Sequence, residues 1–170
     1  NCSKGTVITV TAFATDVENA TSNVVSNSTT IQNYIPTTPS ITYLPATVYS
    51  NSLLNVSATS TDVDGDALTY TYKFTDSVLG VLRDYSANNT YQLNSSNAHH
   101  YILAEVNVTD GTSSSNSSVN VTVANTLPVF SLGNLSLNQD TSVAWNISAF
   151  ISDTDLDNVS IAATNSGNLT

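Results

Sequence analysis

The sequence predicts an all-β protein, and three observations carry that prediction. Val, Ile, Thr and Tyr recur with period two, Gly, Asn, Asp and Ser break the runs at short intervals, and no stretch reads as an amphipathic helix. In chain order the candidate strands are 6–14, 53–60, 67–74, 101–109, 118–125, 142–150 and 158–164. Parity sets their inward faces, because alternate residues of a strand share a side. Leu54, Val56 and Ala58 share one face of the second run, and Leu68, Tyr70, Tyr72 and Phe74 one face of the third. Ile102, Ala104, Val106 and Val108 do so in the fourth, and Trp145, Ile147 and Ala149 in the sixth. Between Thr109 and the run at 118 lies a Ser-rich stretch that reads as a turn containing Asn116.

Composition bounds the function. Some 40% of the residues are hydrophobic, enough for a packed core, but only 9% are charged and the net charge is −10. The three bases, Lys4, Lys73 and Arg83, are too few and too scattered for nucleic-acid phosphates, and an acidic chain does not dock on an anionic membrane. No apolar run is long enough to span a bilayer. Ser and Thr make up 50 of the 170 residues, so solubility must come from hydroxyls, amides or something attached to them. Cys2 is the only cysteine, which excludes an internal disulfide. The absence of Met and of a targeting segment suggests a processed or partial piece of a larger product.

The chain also repeats itself. Residues 53–72 match 143–163, with Asn55 on Asn146, Asp62 on Asp153 and Asp66 on Asp157, all 91 residues apart. Residues 7–16 match 101–110, and 31–36 match 123–128, at offsets of 94 and 92. Such a period suits a seven-stranded sandwich. The order implies the back half of one domain at 1–35, a complete domain at 36–127 and the front half of another at 128–170. Either the chain is one register-shifted period of a tandem array, or its tail strands are completed by the head strands of another subunit. In both cases 128–170 is expected to be closed by strands like 1–35 of a following copy.

At "TDVDGDALTYTYKF" (61–74), "VNVTDG" (106–111) and "ANTLP" (124–128) the chain resembles the tandem immunoglobulin-like or cadherin-like (PKD-like) β-sandwich repeats of prokaryotic, including archaeal, extracellular surface proteins. The resemblance covers nearly the whole chain in pieces. It implies immunoglobulin-like sandwiches, an extracellular location and a role in spacing, adhesion or assembly. The second acidic copy, 153–160, lacks the Gly and the Tyr pair of the first.

Thirteen Asn-x-Ser/Thr triplets are the strongest chemical signal: Asn1, Asn19, Asn27, Asn55, Asn88, Asn94, Asn107, Asn116, Asn120, Asn134, Asn146, Asn158 and Asn168. With 21 Asn in the chain, chance placement gives about six. At Asn55, Asn107, Asn120, Asn134, Asn146, Asn158 and Asn168 the middle residue is Val, Ile or Leu. Core parity then places Val56, Val108, Val121, Ile147 and Val159 inward, and turns the Asn and its hydroxyl partner outward. Such strands build a core and present N-glycan acceptors together.

Asp62, Asp64 and Asp66, with Asp153, Asp155 and Asp157, form two sets of alternating carboxylates that suit Ca²⁺ or, equally, an Asx turn facing solvent. Asp16 and Asp110 are candidates to complete a junction site. Adjacent His99 and His100 point to opposite sides of a strand and do not grip one ion together. No nucleophile elbow supports a Ser-His-Asp site. The expectation is a non-enzymatic, heavily N-glycosylated extracellular structural protein, partnered by further copies of itself and not by nucleic acid. The alternative is a calcium-dependent adhesin or a carbohydrate-binding module.

Overall fold

A computed structural model describes residues 3–133, 138, 144 and 146–162. Alternation becomes strand there wherever a second apolar strand lies within reach. β1 (Val7–Ala12) and β2 (Val25–Thr30) form an antiparallel hairpin of their own. Next come β3 (Ser40–Leu44), β4 (Val48–Tyr49), β5 (Leu53–Thr59), β6 (Thr69–Asp76), β7 (Gly80–Ser86) and β8 (Thr90–Gln92). β9 (Tyr101–Thr109) and β10 (Ser114–Ala124) are the longest strands, and β11 (Val129–Phe130) pairs with β12 (Ile151–Ser152). The protein is all-β over the described residues, with 3₁₀ turns at Ser95–Asn97 and Ile147–Phe150.

Two sheets share the core. One runs β4-β10-β9-β6-β7, with β4 parallel to β10, and the other runs β3-β5-β8. Leu54 and Val56 of β5 meet Tyr72 and Phe74 of β6, Ile102, Ala104 and Val106 of β9, and Val121 and Val123 of β10. Full burial of a side chain such as Leu54 or Phe74 stabilises by about 1.5–3 kcal/mol. The inward parity of β5, β6 and β9 is as the sequence implies, with Tyr70 and Ala58 half-buried at the margin.

β6 ends with a carboxylate on its inward side. Asp76 is 2% exposed, and four donors surround it. Its Oδ1 accepts from the amides of Val78 (2.8 Å) and Leu79 (3.1 Å), and its Oδ2 from Asn97 Nδ2 (2.8 Å) and His100 Nδ1 (3.0 Å). Burial alone would raise this carboxyl, but the donors outweigh it and hold it below the ordinary value. The lock ties the β6–β7 turn to the 3₁₀ turn ahead of β9.

Several expectations are corrected. Residues 147–150, expected in a strand, form a 3₁₀ turn, because Asn146 Oδ1 accepts from the amide (3.2 Å) and hydroxyl (2.5 Å) of Ser148 and draws the backbone out of a ladder. Ala149 is accordingly exposed, Ile147 is half-buried, and Trp145 lies outside the described residues. Residues 158–162 have no strand partner among the described residues, and Val159 is exposed. The Ser-rich stretch is no turn: β10 starts at Ser114 and places Asn116 opposite Asn107. Asp110 makes the turn compact by accepting from the amides of Thr112 and Ser113, both at 2.6 Å, around Gly111 at φ 90°. The short strands β3, β4, β7, β8, β11 and β12 lie outside the expected runs.

Every residue of β1 and β2 is exposed. Among the described residues no strand pairing or hydrogen bond joins this hairpin to 128–162.

Candidate functional site

Both acidic sets lie where one stretch of chain meets the next. At the first, Asp62 Oδ1 accepts from the amides of Asp64 (2.8 Å) and Asp66 (3.4 Å), which folds the three carboxylates into an Asx turn. Asp64 Oδ2 accepts from the amide of Tyr34 at 2.6 Å, and Asp66 pairs with Lys4. The Lys4 ammonium also donates to Asn33 Oδ1 (3.0 Å), and Asn33 Nδ2 donates to Asp110 Oδ2 (2.8 Å). Hydrogen bonds from Asn33 and the turn amides, with Lys4 nearby, lower the Asp110 carboxyl to about 2. The hydrogen bond to Asp66 raises the Lys4 ammonium, against a smaller desolvation effect.

The second set repeats the construction. Asp153 Oδ1 accepts from the amide of Asp155 (2.8 Å), Asp155 Oδ2 from the amide of Thr126 (2.5 Å), and Asp157 takes His99 Nε2 at 2.9 Å. Tyr34 and Thr126 lie 92 residues apart, Asp64 and Asp155 lie 91 apart, and each pair makes the same bond. The turns agree in detail. Gly65 N reaches Asp62 O and Leu156 N reaches Asp153 O, both at 3.4 Å, with φ of 78° and 64°. Leu156 therefore adopts a left-handed conformation where the first copy uses Gly, a cost its own turn must absorb. Asp155 is 6% exposed and also receives the Ser50 hydroxyl; burial would raise its carboxyl, but Ser50 and Thr126 hold it below the ordinary value.

Asp110 thus joins the first junction, while Asp16 does not: it closes the turn of its own hairpin through the amides of Glu18 and Ala20. Among the described residues, the groups whose ligand atoms converge within 4.8 Å are Asp62, Asp64 and Asp66 in one set, and His99, Asp155 and Asp157 in the other. Asp153 is replaced there by His99. The two histidines diverge, His99 to Asp157 and His100 to Asp76. Lys4, Asn33 and Ser50 carry no signal of this role in the sequence, and His99 shows there only as one of two adjacent histidines that do not grip one ion together. The linker amides had one, the 92-residue repeat of "IQNYIP" in "VANTLP".

The triplet asparagines form the second candidate surface. Asn27, Asn55, Asn116 and Asn120 lie in strands, Asn19 and Asn88 in turns, Asn94 and Asn146 cap the 3₁₀ turns and Asn158 is in irregular chain; all nine are exposed. Asn107 in β9 is half-buried. Asn1, Asn134 and Asn168 lie outside the described residues, as does Cys2.

The hydrogen bonds divide these asparagines from the rest. Asn27, Asn55, Asn88, Asn94 and Asn146 accept through Oδ1, and among the described residues no triplet asparagine donates from Nδ2. Asn33, Asn89, Asn97 and Asn125 do donate from Nδ2, and none of them begins a triplet. The atom to which an N-linked sugar attaches is therefore left unused at every described acceptor.

Compared with known proteins, the chain matches no family model, no curated protein and no solved structure.

Proposed function

We propose that the chain is a non-enzymatic, heavily N-glycosylated structural protein of the cell exterior. Its immunoglobulin-like sandwiches run in tandem, with 1–35, 36–127 and 128–170 as back half, whole and front half, and build a filament, stalk or surface layer. The observation that carries this reading is the junction made twice from one plan: linker amide to the second Asp, side-chain nitrogen to the third. A junction that recurs with the sequence period fixes the relation of each unit to the next, and a fixed relation repeated along a chain makes an extended rod.

The sugar coat is supported by the unused Nδ2 atoms and by the exposure of nine acceptors. Glycans there would supply the hydration that a chain with 9% charged residues otherwise lacks, and would shield sheet edges from lateral pairing. Intact mass spectrometry of native protein tests this. The reading predicts a mass well above 17.9 kDa for these residues, in steps of one glycan, and a bare 17.9 kDa would refute the coat.

One observation favours calcium as a second reading: Asp62 Oδ2 is buried without a hydrogen-bond partner inside the converging set. Ca²⁺ takes six to eight oxygen ligands. The Lys4 ammonium already on Asp66 competes with it, and His99 gives the second set a nitrogen where calcium wants oxygen. A calcium-dependent rise in melting temperature would favour an adhesin-like role.

A further inference from the structure

The β1–β2 hairpin is built like the β9–β10 hairpin, register included. Val7 faces Thr30, Ile8 faces Thr29, Val10 faces Asn27 and Ala12 faces Val25. Adding 94 to the first and 92 to the second gives Tyr101–Thr122, Ile102–Val121, Ala104–Val119 and Val106–Ser117, all of them pairs in β9–β10. The surroundings of the two hairpins differ. Ile102, Ala104 and Val106 are at most 1% exposed under the facing sheet, whereas Ile8 is 37% and Val10 66% exposed. A hairpin with the same register and the same inward parity therefore lacks the sheet that covers its counterpart.

The tail carries the complementary deficit. Pro128, Phe130, Ile151, Val159 and Ile161 line an open apolar hollow. At the 91-residue offset Ile161 corresponds to Tyr70. Tyr70 packs against the core of the complete unit. Neither the hairpin strands nor the hollow contains a charged side chain, in a chain of net charge −10. A contact between these two uncharged surfaces escapes the like-charge repulsion that carboxylate-bearing faces of two copies would meet, and it buries apolar area on both sides.

We propose that the occupant of this hollow is the β1–β2 hairpin of a second copy of the chain, seated with the register that β9 has on β6. The proposal rests on the head-to-tail reading above and gives it an interface. In the complete unit Thr71 faces Asn107 and Tyr70 faces Val108. The same offsets place Ala162 of one copy opposite Phe13 of the next, and Ile161 opposite Ala14, with Ile8, Val10 and Ala12 turned onto the hollow. The contact joins unlike surfaces, so it extends into an open chain unless its rotation closes a ring.

Cysteine cross-linking of the 170-residue chain tests the register, in a Cys2→Ser background. A chain bearing Phe13→Cys is mixed with one bearing Ala162→Cys under mild oxidation. Directly opposed strand residues bring Cα atoms to about 4.5–5.5 Å, within disulfide range. The expected result is a mixed dimer, and a ladder of higher species when both changes sit in one chain. Moving the tail cysteine one residue, to Ile161→Cys, turns it to the other face and should cut the yield at least tenfold. Val10→Asp should abolish the ladder while leaving the melting of the 36–127 core unchanged, since Val10 lies outside that core. Equal yields at 161 and 162 would overturn the register, and a monomeric internal disulfide in the double variant would overturn closure by a second copy. A sample that stays monomeric at millimolar concentration would overturn the interface altogether. Bare mass in the same native material would refute the coat independently of any of these results.

Discussion

The backbone amide of Thr126 lies 2.5 Å from Oδ2 of Asp155, 29 residues further along the chain, and the amide of Tyr34 makes the same bond to Asp64 at 2.6 Å. One carboxylate of each acidic set thus holds the chain segment that follows a hairpin, β1–β2 in one case and β9–β10 in the other. Asp155 is the more buried of the two and also takes the Ser50 hydroxyl. Asp155→Ala leaves both donors without an acceptor, at a cost of about 1–3 kcal/mol each where they stay dry. Hydrogen exchange should show the Thr126 amide losing protection while Val106 and Val121 keep theirs. Uniform loss across the core would instead mean that 36–127 and the tail unfold as one unit.

The core between the two sheets should fail at Phe74. This side chain is fully buried, stacks on Tyr91 at 5.8 Å and lies under the Arg83 guanidinium at 4.8 Å. Phe74→Ala is expected to cost about 3–5 kcal/mol, read as a lower urea midpoint. Phe74→Leu should recover more than half of the loss, because it restores volume without the ring.

Acid should loosen the contacts that three carboxylates make. Asp76, Asp110 and Asp155 all have carboxyls held below the ordinary 3.8 in the folded chain. A depressed carboxyl stabilises the fold above its unfolded value, and that contribution is lost as pH falls through the folded value. Calorimetric melting should therefore be insensitive to these groups from neutral pH to about 4, and should decline between about 4 and about 2. Asp110→Asn should make that decline shallower, since the group that titrates to about 2 is gone. A decline of the same steepness would remove Asp110 from the account.

Glycan occupancy should be uneven in one predictable place. Asn107 and Asn116 face each other directly across β9 and β10, where Cβ atoms stand only about 4.5–5.5 Å apart. That is too close for two sugar stems to leave the sheet side by side, and Asn107 is the half-buried member. Peptide mapping by mass spectrometry should find Asn116 occupied and Asn107 bare in the same molecule. Both occupied together would contradict this geometry.

The legible part of the fold was the part governed by parity. β9 occupies 101–109 as its alternation implies, and Val56, Val108 and Val121 are buried beneath exposed or half-buried triplet asparagines. What parity missed was local side-chain chemistry. Asn146 captures Ser148 and turns an expected strand into a 3₁₀ turn, while Asp110 closes its turn so tightly that Ser114–Ser118 is released into β10. The acidic sets were legible as clusters, but their partners were not. Lys4 meets Asp66 across 62 residues, His99 meets Asp157 across 58, and Ser50 meets Asp155 across 105. The triplets were plain in the sequence, and the division of Nδ2 hydrogen bonds between triplet and other asparagines emerges only from the geometry.

The central claim is that these units continue head to tail under a coat of sugar, and a density map of the native assembly tests it most directly. The account predicts the hollow at Phe130 and Ile161 filled by the β1–β2 hairpin of a second copy, with branched density rising from Asn27, Asn55, Asn116 and Asn120. A map in which the hairpin folds onto the tail of its own chain, or in which those asparagines are bare, would contradict it.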